Sequence, residues 1–198
     1  MGLLSGSLTR LPMRCRVIGT VVRFIVVIGA CAVATALPNA HAQSLSQREY
    51  EIKAAFLYNF IKFIDWPAQA LPESSDTMTI CVLGEDPFGE AIESIKDKPA
   101  KGKRLSVRRI QGVKELTACH VLFVGSSEEK RLPQVMQSVQ GLSVLTVGEM
   151  DEFVRQGGII NFVIEKNKVR FQINVDNASR AGLKLSSQLL SLAKVVRQ

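Results

Sequence analysis

The residues able to do acid–base, nucleophilic or metal chemistry are few, and His120 is the first to weigh. It sits beside Cys119 inside the apolar run Cys119–Val124. An imidazole can move protons near neutral pH, but no partner stands at a telling spacing, so a structural histidine is the reading favoured. A transition-metal centre wants several His or Cys ligands, and there are too few. No Gly-x-Ser-x-Gly, phosphate-binding Gly-Lys-Ser/Thr or dinucleotide Gly-x-Gly-x-x-Gly follows a strand. Gly125-Ser126-Ser127 lies at the carboxyl end of an apolar strand, where α/β folds place ligands, although Ser126 and Ser127 also suit helix caps. Gly84-Glu85-Asp86-Pro87-Phe88 holds the equivalent position after the preceding strand. Glu85, Asp86 and Phe88 are thereby candidates for ligand or partner contact, with capping the simpler role for the acids. No catalytic set, cofactor site or metal site emerges. The sequence reads as that of a protein that is not an enzyme.

One charged stretch adds a different candidate. Lys96–Arg109 carries seven cationic residues with Asp97 as the only acid. Lys101, Lys103 and Arg104 are expected to decorate an exposed loop, either as a solvated turn or as a docking patch for an acidic protein surface or anionic headgroups.

The first 42 residues read as an export signal and not as fold. Arg10, Arg14, Arg16 and Arg23 lead, Phe24–Leu37 is uncharged and mostly apolar, and Ala40-His41-Ala42 predicts cleavage between Ala42 and Gln43. The apolar run is shorter than the roughly 20 residues of a membrane span. An alternative stays open: Ile28-Gly29-Ala30-Cys31 resembles a lipoprotein processing box, which would leave Cys31 lipidated. Without residues 1–42, basic residues fall from 25 to 21 against 18 acidic ones, a net of +3 in place of +7. That modest charge on an exported chain argues against nucleic acid as a partner. Residues 43–198 suit one domain. Cys81 and Cys119 remain, in an oxidising compartment where such a pair commonly forms a disulfide, two buried free thiols being the alternative.

These residues need elements to position them. Tyr50–Pro67 has the apolar content of a covered helix. Glu51, Tyr58, Asn59, Lys62 and Asp65 share one narrow stripe, Ile52, Phe56, Leu57, Phe60, Ile61, Phe63 and Ile64 fill most of the rest, and Pro67 stops the helix near Asp65. Such a wide apolar arc fits a homodimer and a well-covered monomer equally. Thr77–Leu83, Leu105–Ile110, Cys119–Val124 and Ser143–Val147 read as strands. Helices are expected from Asp86-Pro87 through Ile95, from about Arg131 to Val139, and over Glu149–Arg155. Ile159–Ile164 and Val169–Val175 form a β-hairpin, and Asp176–Arg197 reads as one surface helix. The resulting fold class is α/β: a single three-layer domain, its sheet mostly parallel, with a C-terminal antiparallel hairpin and a C-terminal helix.

From Tyr50 to Val196 the chain resembles the YfiR family of periplasmic proteins. The likeness runs through Lys53-Ala54-Ala55-Phe56-Leu57-Tyr58-Asn59-Phe60, Phe63, Trp66-Pro67, Gly84-Glu85-Asp86-Pro87-Phe88-Gly89 and Cys119-His120-Val121-Leu122-Phe123. It continues through Gly157-Gly158-Ile159-Ile160-Asn161-Phe162, Val169-Arg170-Phe171-Gln172-Ile173-Asn174 and Ala181-Gly182-Leu183-Lys184-Leu185-Ser186-Ser187. The resemblance implies a non-enzymatic periplasmic repressor that holds an inner-membrane diguanylate cyclase inactive through its periplasmic region and so lowers cyclic di-GMP. It also implies release by an OmpA-like outer-membrane lipoprotein. Cys81 and Cys119 match the pair bridged in the family; no cysteines remain for the second disulfide of some members. The alternative function is a periplasmic small-molecule sensor that reports to a membrane histidine kinase or cyclase, its ligand near Gly84–Phe88 and Gly125–Ser127.

Overall fold

A computed structural model describes residues 39–196, with side chains from residue 45 onward. The expected signal segment from Arg10 to Leu37, and Cys31 within it, lies outside the described residues. Ala42 and Gln43 fall in the first helix, their side chains outside those described. Leu45–Gln198 forms one compact unit.

Helix α1 spans Asn39–Phe63. Leu57, Phe60, Ile61 and then Ile64 are fully buried, as the apolar arc requires. Ile52 departs from that expectation and is exposed on the helix surface. The chain leaves α1 directly into a short strand, β1 (Ile64–Asp65), before Trp66-Pro67 turns it away.

Among the described residues the main sheet has eight strands: β2 (Thr77–Leu83), β3 (Pro99–Ala100), β4 (Lys103–Ile110), β5 (Val121–Val124), β6 (Leu145–Gly148), β7 (Ile160–Glu165), β8 (Lys168–Asn174) and β10 (Lys194–Val196). Their order is β10-β8-β7-β6-β5-β2-β4-β3. Pairing is parallel from β4 through β2, β5 and β6 to β7, and antiparallel in the β7–β8 hairpin and at β3–β4. Buried β-branched and apolar runs are what a sheet covered on both faces demands. Along β2, Ile80 and Val82 join the cluster under α1, while Cys81 and Leu83 join a second cluster on the opposite face with Leu122, Val124, Leu132, Val135 and Phe153. The two clusters arise from the strand period of two.

The hairpin forms as read, with Glu165 opposite Lys168 and both Lys166 and Asn167 at positive φ, the signature of a two-residue primed turn. Its inner face carries Phe162 and Phe171, whose rings lie 5.7 and 4.9 Å from that of Phe60 on α1. Those contacts fix the helix on the sheet and contribute beyond plain area burial.

Three helices expected from periodicity take other forms. After Asp86-Pro87 the left-handed Gly89 (φ +54°) interrupts the chain, and only a short 3-10 segment, Ala91–Ile95, comes after it. Residues 149–155 form turns, because Glu152 adopts φ +64° while Met150, Phe153 and Val154 are packed inward. Residues 176–197 are not one helix. Helix α3 (Val175–Arg180) stops at Gly182 (φ +71°), where the Leu183 amide bonds back to the Ala178 carbonyl. The chain then forms β9 (Lys184–Leu185) on β1, the capped helix α4 (Ser187–Leu192), and β10 alongside β8. Sheet hydrogen bonds to β1 and β8 outcompete the 3.6-residue pattern there. The remaining helix, α2, covers Leu132–Ser138 after a 3-10 entry at Ser126–Arg131.

Candidate functional site

The carboxyl ends of β2 and β5 bring the loops at Gly84 and Gly125 together, as the sequence reading expects for a ligand-bearing crest. They touch closely: a Cβ on Gly84 would meet Ser127 Oγ at 2.4 Å, and one on Gly125 would meet the Glu85 carbonyl at 2.7 Å. Ser127 is not a helix cap. Its hydroxyl accepts the Glu85 amide proton at 2.9 Å and staples the two loops. Ser126 and Glu85 are exposed. Asp86 Oδ1 accepts from the Phe88 amide at 2.8 Å, a local turn and not a helix cap, and Oδ2 accepts from Arg109 Nε at 2.7 Å. Arg109 also donates to Glu93 at 2.9 Å, and that hydrogen bond holds the Glu93 carboxyl below its ordinary range. Phe88 is core: its ring packs edge-on against Phe123 at 4.7 Å and Tyr50 at 5.4 Å. It has no surface to offer a ligand.

The basic stretch divides in the same way. Lys101 and Arg104 are exposed, and Lys101 pairs with Asp65 at 2.5 Å. Lys103 is buried, contrary to its expected place on an exposed loop. Its ammonium donates to the Pro72 and Ser75 carbonyls at 2.7 and 2.5 Å, tying the linker before β2 to the sheet edge.

Cys81 and Cys119 are bridged, with Cα atoms 5.7 Å apart. The bridge joins β2 to the approach of β5. Next to it, His120 is held as a structural group: Nδ1 accepts the Thr79 amide proton at 3.0 Å, and burial pushes the imidazole pKa below its ordinary value.

The most organised charge cluster among the described residues was not among the candidate site residues read from the sequence. Lys53 lies one face-repeat before Leu57 and Phe60 on α1, and it is only 3 % exposed. It bonds Glu49 on the preceding turn at 2.5 Å and Glu149, after β6, at 2.6 Å, with the Tyr50 ring 4.4 Å away. Tyr50 donates its hydroxyl to Glu149 at 3.1 Å. Burial, then the Glu149 charge, drives the phenol pKa well above its usual value. A lysine at i, with buried apolar residues at i+4 and i+7, is the signal that could have revealed it. The cluster pins the middle of α1 to the segment that follows β6. It contains no nucleophile poised beside a free base, and its contacts are with one another.

A family model described as YfiR/HmsC-like matches residues 50–194. Among solved structures, the fold is similar to a conserved domain protein from Vibrio cholerae, with 10% identity, a TM-score of 0.48, and coverage of 75% of this chain and 60% of that one. It is also similar to the ABC domain of Streptococcus pneumonia, solved in complex with L-Trp, with 13% identity, a TM-score of 0.45, and coverage of 70% and 61%. The chain therefore spans about three fifths of those two proteins. Likenesses this distant carry no functional argument.

Proposed function

We propose that this chain, which belongs to the YfiR/HmsC-like family, is a periplasmic regulator of cyclic di-GMP signalling that works by binding a membrane signalling protein. The observation that carries the reading is the extent of the family match, which runs from within α1 to the first residue of β10 and takes in the seven other strands of the main sheet. The family is regulatory and non-catalytic. Among the described residues no helix is long and apolar enough to cross a membrane. The Cys81–Cys119 bridge suits an oxidising compartment.

In the finer form of the proposal, the leader of residues 1–42 exports the chain, and residues 43–198 hold the periplasmic region of an inner-membrane diguanylate cyclase in its inactive conformation. Preferential binding to that conformation is all the mechanism needs. An OmpA-like outer-membrane lipoprotein would compete for the regulator and release the cyclase. Exposed Ile52 on α1, with Lys101 and Arg104 at the sheet edge, supplies apolar and cationic surface for such contacts. Deleting the gene is expected to raise cellular cyclic di-GMP, with restoration by the exported protein; an unchanged level would contradict the reading. A second reading, a periplasmic small-molecule sensor reporting to a membrane kinase or cyclase, is favoured by one feature, a cleft whose lining includes Ser126 after β5 and Glu149 and Asp151 after β6.

A further inference from the structure

A different cleft, of about 300 Å³, opens at the amino end of β6, at the opposite end of the strands from the Gly84 and Gly125 loops. It is bounded by the carboxyl end of α2, the chain that leads from α2 into β6, the turn at Gln156-Gly157, and helix α3. Met136, Val139, Leu142 and Val144 give it an apolar wall. Among the described residues of the lining, Arg180 is the one ionised side chain. The cleft is therefore apolar with a single positive charge.

Two side chains of that lining hold donor protons in reserve. Thr146 alternates along β6 with Leu145 and Val147, which belong to the cluster under α1, so its side chain points to the opposite face, where the cleft opens. It is 2 % exposed, and its oxygen accepts the Ile159 amide proton at 3.0 Å. A threonine hydroxyl also has one proton to give, and no acceptor among the described residues takes it. Arg180 is held by its own helix: Nε donates to the Asp176 carbonyl at 3.4 Å, and Nη2 donates to Oδ1 of Asn177. Asn177 is 6 % exposed and is fixed in turn by donating to the Val154 and Gly158 carbonyls. Among the described residues Nη1 of Arg180 makes no hydrogen bond, and the guanidinium has no carboxylate partner.

We infer that this cleft binds a small apolar monocarboxylate. Its oxygens take protons from Arg180 Nη1 and the Thr146 hydroxyl, and its hydrocarbon body lies on Met136, Leu142 and Val144. A planar carboxylate matches the guanidinium fork, and such charge-assisted bonds are about twice as strong as neutral ones. A cation would face Arg180 with no carboxylate to offset it. An α-amino acid would bring its ammonium into the same field, and a neutral apolar molecule would leave both donors unmet. The volume is at the lower end of small-ligand sites, which suits an acid the size of isocaproate. The inference does not depend on which membrane protein the chain regulates.

The same chemistry could come from a free acid or from the carboxyl terminus of a peptide, and one titration series separates them. Purified protein is titrated with isocaproate, which is leucine without its amino group, and with acetyl-Gly-Leu, whose terminal carboxylate is free. L-Leucine and isohexanol keep the hydrocarbon and serve as controls. Binding is read by calorimetry and by the NMR signals of the Ile159 amide and the Val144 methyl groups. Saturable binding is expected for isocaproate or acetyl-Gly-Leu, with a Kd on the order of 1 mM or below for a ligand of this size. The tighter of the two identifies the source. Arg180→Gln should weaken binding by about tenfold or more. Gln140→Glu, which sets a carboxylate among the lining residues, should weaken it severalfold. Both positions are exposed, so neither change enters the core. Binding of the controls with equal affinity, no saturation by about 20 mM carboxylate, or unchanged affinity in Arg180→Gln would each overturn the inference.

Discussion

Replacing Lys53 by methionine keeps a helix-favouring stem of similar length and removes only the ammonium. The native charge is enclosed between Glu49 at 2.5 Å and Glu149 at 2.6 Å. These partners differ in their recourse to water: the Glu49 side chain is 34% exposed and the Glu149 side chain 10%. After the substitution Glu49 is resolvated, while Glu149 keeps the Tyr50 hydroxyl and little else. Stranding one member of a buried pair costs roughly 3–5 kcal/mol, and the surviving Tyr50 bond at 3.1 Å places this case at the lower end. Glu149→Gln, which leaves Lys53 paired to Glu49, should cost about 1–2 kcal/mol. Removing both charges together, in Lys53→Met/Glu149→Leu, should bring stability back to within about 1 kcal/mol of the native protein. Urea unfolding followed through the single tryptophan, Trp66, reads all three. With a slope of about 2 kcal/mol/M, Lys53→Met should lower the midpoint by about 1.5 M. An additive double variant, or a midpoint shift below about 0.5 M for Lys53→Met, would refute the reasoning.

Other substitutions test other parts of the structure. Cys81→Ala/Cys119→Ala opens a loop of 38 residues and should cost about 4 kcal/mol in the chain-entropy model, measured as a lowered urea midpoint that reductant no longer affects. His120 is held below its unfolded pKa, so the unfolded chain binds more protons on acidification and the native protein should lose stability as pH falls through about 6.5. His120→Asn keeps an acceptor for the Thr79 amide and does not titrate; unfolding free energies from pH 7.5 to 5 should decline less steeply for it, and parallel curves would contradict the assignment. Lys103→Met orphans the Pro72 and Ser75 carbonyls and should destabilise by about 1–3 kcal/mol, whereas charge reversal at Arg104 should leave unfolding unchanged within about 0.5 kcal/mol and weaken partner binding.

The elements that could be read from the chain are those in which local pattern and tertiary demand agree. Thr77–Leu83 and Val121–Val124 are continuous apolar runs because both of their faces are covered, and α1 carries its buried side chains at helical spacing. The hairpin turn at Lys166-Asn167 comes from two alternating runs separated by polar residues. The C-terminal segment misled because Ala178, Leu185, Leu189 and Leu192 fall at helical intervals by chance; Leu192 proves exposed, and pairing with β1 and β8 decides the conformation. Lys103 gave no sign of burial, since its carbonyl partners lie 31 and 28 residues earlier in the chain. Phe88 was drawn into the candidate contact set by its neighbours Glu85 and Asp86, and its apolar ring answers to the core instead.

If the proposed function is right, the protein restrains a membrane cyclase by contact from the periplasmic side. Spheroplasts of a deletion strain expose that face, and native protein purified from the periplasm can be added to them while cyclic di-GMP is measured. A saturable fall in cyclic di-GMP is expected on addition, absent when the added protein has been unfolded. A level that stays at the deletion value across the whole titration would contradict it.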